Sequence, residues 1–385
     1  MTVVDPLGTL GHPGRVGVWG DEEDSGELVC LGVRDITHDV KTFWFESAGG
    51  HVFFFDPGQF ITLHLDVDGQ RVERSYTISS PPTRPHRLAI TVKRQPGGLV
   101  SNWLHDHVVP GTRLTASAPL GAFSVVRHPA RKYLFLSAGS GITPVMSMTR
   151  TLVDLGSDVD VLFVHSARTP ADIIFRSEQW GMPTQFPTVN VVQVCSADAP
   201  GQDWRGHRGR LDQALLAQVV PDLQEREVFV CGPEGYMSVV REALRDAGFD
   251  MTRYHEETFV FESLGPSAFA GSVAEGVEDI GDFQPSGAQG ADGGDAEQAV
   301  FTVSMAASGR SFPCAPDEFI LDAAFRAGIS PPSSCSQGMC GTCKTVLLSG
   351  EVDMQHNGGI RPREIAAGKV LICCSKPLGD VSLDR

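Results

Sequence analysis

Hydrophobic residues fall along this chain in two rhythms. From Leu28 to Val126, short apolar and β-branched runs recur at Val40–Phe45, Phe60–Val67, Leu88–Val92 and Leu114–Ala118. Turn-forming sequences separate them: Asp56-Pro57-Gly58, Asp68-Gly69 and Pro110-Gly111. Short strands at such spacing predict an antiparallel β-barrel over residues 28–128. Beyond that the rhythm changes. Apolar runs at Tyr133–Ser137, Val161–His165, Val191–Val194 and Val228–Cys231 alternate with helical periodicity at 144–155, 211–219 and 236–247. Alternation of this kind predicts a parallel α/β sheet over residues 129–261. A last domain, 299–385, opens with a strand at Phe301–Met305 and a helix at Asp317–Gly328, which places Leu321, Ala324 and Phe325 on one face.

Two stretches carry no such pattern. Residues 1–27 are Gly-rich, include the acidic run Asp21-Glu22-Glu23-Asp24, and are expected to be a disordered tail. Residues 262–298 hold eight acidic residues, eight glycines and neither Lys nor Arg. Such a segment buries too little apolar surface to offset its ordering entropy, so it reads as a linker.

Composition narrows the function. Against 47 Asp and Glu stand 31 Lys and Arg, a net charge of −16. That balance speaks against nucleic acid or an anionic membrane as partner. No apolar run approaches the ~18–20 residues that cross a bilayer, and the first residues lack a basic-then-apolar leader. Nine cysteines, five of them in the last 51 residues and four of those five at metal-ligand spacing, point to a reduced, cytoplasmic protein.

The strongest chemical signal is that late group. Cys335, Cys340 and Cys343 are followed, after 29 residues, by Cys373. This C-x4-C-x2-C…C pattern is the plant-type spacing for a [2Fe–2S] cluster. The small residues Ser336, Gly338, Gly341 and Thr342 let backbone N–H groups approach the sulfurs. Structural zinc also takes four cysteines, but usually in two short pairs, which are absent here. Cys374 adjoins Cys373; if the two stand on a strand they point to opposite faces, and only one reaches the cluster. Cys30, Cys195 and Cys314 sit in apolar runs and read as buried thiols.

Two further constellations suit nucleotide cofactors. Arg74-Ser75-Tyr76-Thr77-Ile78-Ser79-Ser80 offers a cation for phosphate, a ring to lie on an aromatic plane, and a hydroxyl for a redox-active nitrogen. Lys93 and the turn Gly97-Gly98, with Ser101 entering a helix, follow; a helix N-terminus of this type favours a diphosphate. Next, strand 133–137 runs into Ala138-Gly139-Ser140-Gly141-Ile142-Thr143-Pro144, a glycine turn at a helix start. Pro144 fits the first turn of that helix. Later comes Cys231-Gly232-Pro233 at a strand end, and Ser166 and Arg168 follow another strand with no acidic residue at the ribose position.

In these motifs the chain resembles the ferredoxin–NADP+ reductase superfamily. The resemblance implies that Arg74, Ser75, Tyr76, Thr77, Ser80, Lys93, Gly97, Gly98 and Ser101 bind FAD, FMN being the alternative, with Thr77 near the flavin nitrogen that accepts hydride. It also implies that Gly139, Ser140, Gly141, Thr143, Pro144, Ser166, Arg168, Cys231, Gly232 and Pro233 bind NADH or NADPH, with Cys231 beside the reacting ring. The order of flavin, nicotinamide and plant-type ferredoxin modules is similar to reductase components of Rieske-type oxygenases, and implies a β-grasp fold for the last domain. Within them, Val352–Ile365 and Cys373-Cys374-Ser375-Lys376-Pro377-Leu378 look like the subgroup serving glycine-betaine and related quaternary-ammonium demethylases, which also holds reductases of hybrid-cluster protein. Gln355–Gly359 reads as a surface turn, or as a loop that docks a partner near the cluster.

Electron counting gives the reaction these modules imply: hydride brings two electrons, a [2Fe–2S] cluster takes one, and a flavin mediates. An NAD(P)H-dependent oxidoreductase that feeds an oxygenase, or another one-electron protein acceptor, is expected. The sequence shows no Rieske Cys-x-His pairs and no two-His–carboxylate arrangement.

Overall fold

The structure is a computed structural model, and it describes residues 18–19, 25–199, 201, 204–258, 300–329, 331, 333, 338, 341, 343–356 and 358–385. The expected linker lies outside the described residues, as do Cys335 and Cys340 and most of the expected tail.

The first domain is an antiparallel barrel. Its strands are β1 (Ser25–Thr37), β2 (Val40–Ser47), β3 (Phe60–Val67), β4 (Gln70–Thr77), β5 (Leu88–Lys93) and β6 (Arg113–Ser117), with helix α1 (Leu99–His107) after β5. They lie in the order β4-β3-β6-β1-β2-β5. The chain just after β4 closes the ring, since Ile78 bridges Ile90 and the Ser79 N–H donates to the Ala89 carbonyl at 2.8 Å. Phe43, Phe45, Ile61, Leu63, Ile78, Leu88 and Ile90 fill the interior. β1 was not legible in the hydrophobic rhythm. Glycines at 26 and 32 and register shifts at 30/32 and 35/37 break its alternation.

The tail boundary needs correction. β1 begins at Ser25, and Trp19, seven residues earlier than the β1–β6 partner Gly26, is buried in the barrel core. Its ring meets Phe53 edge-on at 5.4 Å, and its backbone N–H donates to the Val52 carbonyl at 2.9 Å. Gly26 makes room: a Cβ there would stand 2.3 Å from the indole nitrogen.

The second domain alternates as expected: β7 (Lys132–Ala138), α2 (Ile142–Asp154), β8 (Asp160–Ala167), α3 (Arg176–Gln185), β9 (Val189–Cys195), the two-residue β10 (His207–Arg208), α4 (Gln213–Val219), β11 (Glu227–Gly232), α5 (Glu234–Asp246) and β12 (Tyr254–Thr258). Its strands run parallel in the order β10-β9-β8-β7-β11-β12. Helix α3 escaped the periodicity reading because Gly181 and Pro183 interrupt it and only Gln179 and Met182 are buried along it.

The third domain holds β13 (Phe301–Met305), β14 (Arg310–Cys314), α6 (Ile320–Arg326), β15 (Lys344–Ser349), β16 (Val352–Met354), α7 (Pro362–Ala366), β17 (Lys369–Leu371), β18 (Ser375–Pro377) and β19 (Val381–Leu383). A mixed five-stranded sheet, β14-β13-β19-β15-β17, packs on α6. That helix starts three residues later than expected, since the Glu318 carboxylate accepts the Ala315 N–H and holds the preceding turn.

Barrel and parallel sheet are clamped together. Arg150 of α2 donates to the Ser79 carbonyl while its guanidinium takes both Glu178 oxygens at 2.7 and 2.6 Å. Arg84 makes the reverse reach, two-pronged onto Asp154 at 3.0 and 2.8 Å. Paired, planar geometry of this kind fixes orientation as well as distance.

Removing the indole should leave an unfilled site in the barrel. Trp19→Ala is expected to cost about 3 kcal/mol or more of barrel stability, read as earlier flavin release in urea. An unchanged midpoint would return residues 18–19 to the status of a tail.

Candidate functional site

The flavin motif occupies β4 and the closure beside it. Phe60 pairs with Thr77 and Ile61 with Tyr76, so the motif is held by β3. Thr77 is buried, and the Ser75 hydroxyl meets that of Thr62 at 2.9 Å. Burial drives the Tyr76 hydroxyl upward against the opposing pull of Arg74, so it stays protonated. Ser80 is committed within the fold: its hydroxyl accepts the Ala89 N–H at 3.0 Å, and its carbonyl accepts Ser147 of α2 at 2.8 Å.

Barrel closure brings β5, and therefore the glycine turn after it, alongside β4. Gly97 has φ +71°, a conformation glycine takes without strain. The Ser101 hydroxyl accepts the Gln95 N–H at 3.1 Å and so closes the turn, with Gly98 as N-cap of α1. Lys93 is ion-paired with Asp39 at 3.0 Å, which directs its charge to the barrel wall.

The two nicotinamide turns meet although 90 residues separate them. β7 and β11 are neighbours, and Leu136 pairs with Val230 and Ser137 with Cys231. Gly139-Ser140-Gly141 forms a 3-10 turn into α2, whose first turn holds Thr143 and Pro144. A Cβ on Gly141 would lie 2.2 Å from the Cys231 carbonyl oxygen, and one on Gly232 would lie 3.1 Å from the Ala138 Cβ. Each turn is glycine because the other occupies the space a side chain needs. The 3-10 turn also packs against β5, and α2 bonds to the Ser79 and Ser80 carbonyls, so the two groups of residues are brought next to each other.

Cys231 is fully buried, and burial pushes its thiol well above the ordinary value, with Glu257 adding to the effect. It is a neutral S–H, suited to packing beside a ring and not to nucleophilic attack. Glu257, paired with Cys231 in register and buried, was missed in the sequence because one Glu in a short strand carries no local signal. Ser166 lies against the buried Tyr236, whereas Arg168 is exposed on the loop beyond β8. His165 receives or donates a hydrogen bond with the Ser137 hydroxyl at 2.8 Å, and its Nε2 is buried without a partner. Full burial pushes its pKa down to about 3.

In the third domain the described residues fit a thiolate-held cluster. The Gly338 N–H points at the Cys373 sulfur, 3.2 Å away, as a donor to a cluster thiolate must. Cys374 turns elsewhere, its sulfur 3.6 Å from the Leu371 carbonyl. Both cysteines stand in a 3-10 turn, Ile372–Cys374, and not on a strand, so their divergence comes from the turn's ~120° step per residue. Gly338 and Gly341 take φ +68° and +74°; a Cβ on Gly338 would fall 2.6 Å from the Cys374 sulfur. Cys343 is buried in the same core.

One grouping contradicts the sequence reading that no two-His–carboxylate arrangement exists. His128, Glu227 and His255 converge from three distant parts of the chain, their ligand atoms within 4.8 Å of one another. The His128 and His255 rings stack at 3.6 Å and 25°, so their nitrogen lone pairs run side by side and do not converge on one point. His255 Nε2 is 2.6 Å from Glu227, a hydrogen bond. Glu227 opens β11 whereas Cys231 lies near its end, so the stack sits at the opposite end of the strands from the glycine turns.

Comparison with known proteins fits this geometry. The chain matches the oxidoreductase FAD-binding domain over residues 29–125, the oxidoreductase NAD-binding domain over 135–242, and the 2Fe-2S iron-sulfur cluster binding domain over 304–378. It is 44% identical over 355 residues to a glycine betaine monooxygenase reductase subunit of Pseudomonas aeruginosa, covering 92% of this chain and 94% of that protein. Identity is 42% to a stachydrine N-demethylase reductase subunit of Rhizobium meliloti, covering 96% and 98%. Phthalate dioxygenase reductase shares the fold, with a TM-score of 0.56 at 24% identity over 95% of this chain and 100% of that one.

Two outcomes follow from the site. Gly141→Ala should raise KM for the nicotinamide by roughly tenfold or more, with the flavin spectrum unchanged; an unaltered KM would remove the interlock from the site. His165 stays neutral in the folded chain while its unfolded counterpart takes a proton below 6.5. Stability is therefore complete above pH 6.5 and is lost as pH falls from there toward 3. His165→Asn should flatten the upper part of that fall in urea denaturation at stepped pH.

Proposed function

We propose, from the premise that this chain belongs to the family of reductase subunits that join FAD-binding, NAD-binding and 2Fe-2S domains, that it carries electrons from NADH to the oxygenase component of a Rieske-type demethylase. The substrate class of that oxygenase is a quaternary ammonium compound of the glycine-betaine kind, the chemistry named in the two relatives above. The observation that carries the reading is the approach of the interlocked glycine turns of β7 and β11 to the closing segment of the barrel, through the packing of the 3-10 turn on β5 and the Ser147–Ser80 hydrogen bond.

FAD, when bound, supplies the step from paired to single electrons that neither a nicotinamide nor a [2Fe–2S] cluster performs. Arg74 offers the phosphate its charge, Tyr76 a protonated ring, and Thr77 a buried hydroxyl at the closure. The turn at Gly97 and Gly98, whose Gly98 N–H is held by the Gln95 carbonyl, presents the start of α1 to the diphosphate. Gly139, Ser140 and Gly141 do the same for the nicotinamide dinucleotide at the start of α2, and Cys231, Gly232 and Pro233 form the wall opposite. Ser166 and Arg168 stand where the ribose would lie; with no carboxylate there, NADPH remains the alternative donor. Cys335, Cys340, Cys343 and Cys373 are the ligand set. A cytoplasmic setting accords with the described cysteines, none of which forms a disulfide, and among the described residues no helix is long and apolar enough to cross a membrane.

Single substitutions at the paired cysteines test the reading. Cys373→Ser should abolish the cluster's visible absorption and electron delivery to a one-electron acceptor such as cytochrome c, while NADH still reduces the flavin. Cys374→Ser should keep the cluster. Equal loss in both variants, or undiminished delivery without a cluster, would overturn the assignment.

A further inference from the structure

Gly358, in the stretch 355–359 read from the sequence as a turn or a partner-docking loop, is seated against the flavin barrel of its own chain. A Cβ on Gly358 would lie 3.0 Å from the Ala122 nitrogen, 3.0 Å from the Gly121 carbonyl carbon and 3.3 Å from the Ala122 Cβ. Beside it, a Cβ on Gly341 would lie 3.6 Å from Leu120. The Gly359 N–H donates to the Gly338 carbonyl at 2.9 Å, and the Gly338 N–H points at Cys373. On the other side, Leu120 and Phe60 exchange two backbone hydrogen bonds of 2.9 Å, and Phe60 pairs with Thr77. An unbroken series of backbone contacts thus leads from a cluster cysteine to the flavin motif: Cys373, Gly338, Gly359 and Gly358, then Gly121 and Ala122, then Leu120, Phe60 and Thr77.

We propose that the contact of Gly358 with Gly121–Ala122 is the positioning seam for internal electron transfer, its missing side chains holding the cluster loop close to the flavin barrel. The inference rests on the reductase reading above. Oxidation of one NADH to NAD+ and H+ yields two electrons, which cross the seam singly and leave to two one-electron acceptor molecules. At the seam Gly358 is partly covered by the barrel and Gly359 is buried, while Gln355 stays exposed.

Ala122→Leu enlarges the barrel side and leaves the cluster loop untouched; Gly358→Ala, at φ +87°, enlarges the other side. In stopped flow with NADH, Ala122→Leu should slow cluster reduction by roughly tenfold or more with flavin reduction unchanged. Its cluster absorption and electron paramagnetic resonance should match wild type. Independently of turnover, amide hydrogen exchange should rise together at residues 118–123 and 355–360 in Ala122→Leu. Unchanged cluster reduction in both variants, or unchanged exchange across the two segments, would overturn the seam. A failure of flavin reduction by NADH in the wild-type protein would instead overturn the reductase reading.

Discussion

Close approach of one backbone to another is the constraint on which this molecule turns. The glycine turns after β7 and β11 can lie against each other only because Gly141 has no Cβ to strike the Cys231 carbonyl. A side chain there would force apart the ends of β7 and β11, which are adjacent hydrogen-bonded strands, and the strain would fall on the sheet itself. The barrel and the cluster loop use the same device at Gly26 and Gly358. Glycine in these places costs conformational entropy, and the return is proximity that no other residue allows.

Charge plays a different part. Arg150, only 12% exposed, is satisfied by Glu178 and by the Ser79 carbonyl and lies over the Phe175 ring at 4.5 Å. A buried ion pair is weak evidence of net stability, because desolvation offsets most of its attraction. Its directional bonds are better evidence of orientation. Together with Arg84 and Asp154 they hold the flavin wall against α2, the helix that begins at the nicotinamide turn.

How much of this was readable from the residue string differs by kind. The alternating strands and helices of the middle domain were legible because parallel strands buried on both faces are continuous apolar runs. Both glycine turns and the presence of a 2Fe-2S domain were legible because their chemistry demands fixed local spacing. β1 was not, since bulges and glycines break its alternation, and Trp19 was hidden by the acidic, Gly-rich sequence around it. The stack of His128, Glu227 and His255 could not be read at all: its members are 99 and 28 residues apart, and only the β11–β12 pairing and the turn after the barrel unite them. Lys93 and Ser80, cofactor ligands by type, also have partners within the fold, Asp39 and the Ala89 N–H.

The clamp between Arg84, Arg150, Asp154 and Glu178 also bears on how such a gene can be rearranged. Arg84–Asp154 and Arg150–Ser79 join the stretch before residue 128 to the stretch after it, whereas Arg150–Glu178 lies within the parallel-sheet domain, and none reaches past residue 178. A recombination joint placed between the barrel and the parallel sheet would part Arg84 from Asp154 and Arg150 from the Ser79 carbonyl. One placed after β12 would leave all of these contacts intact, so the front two modules could be exchanged as one cassette without breaking the clamp.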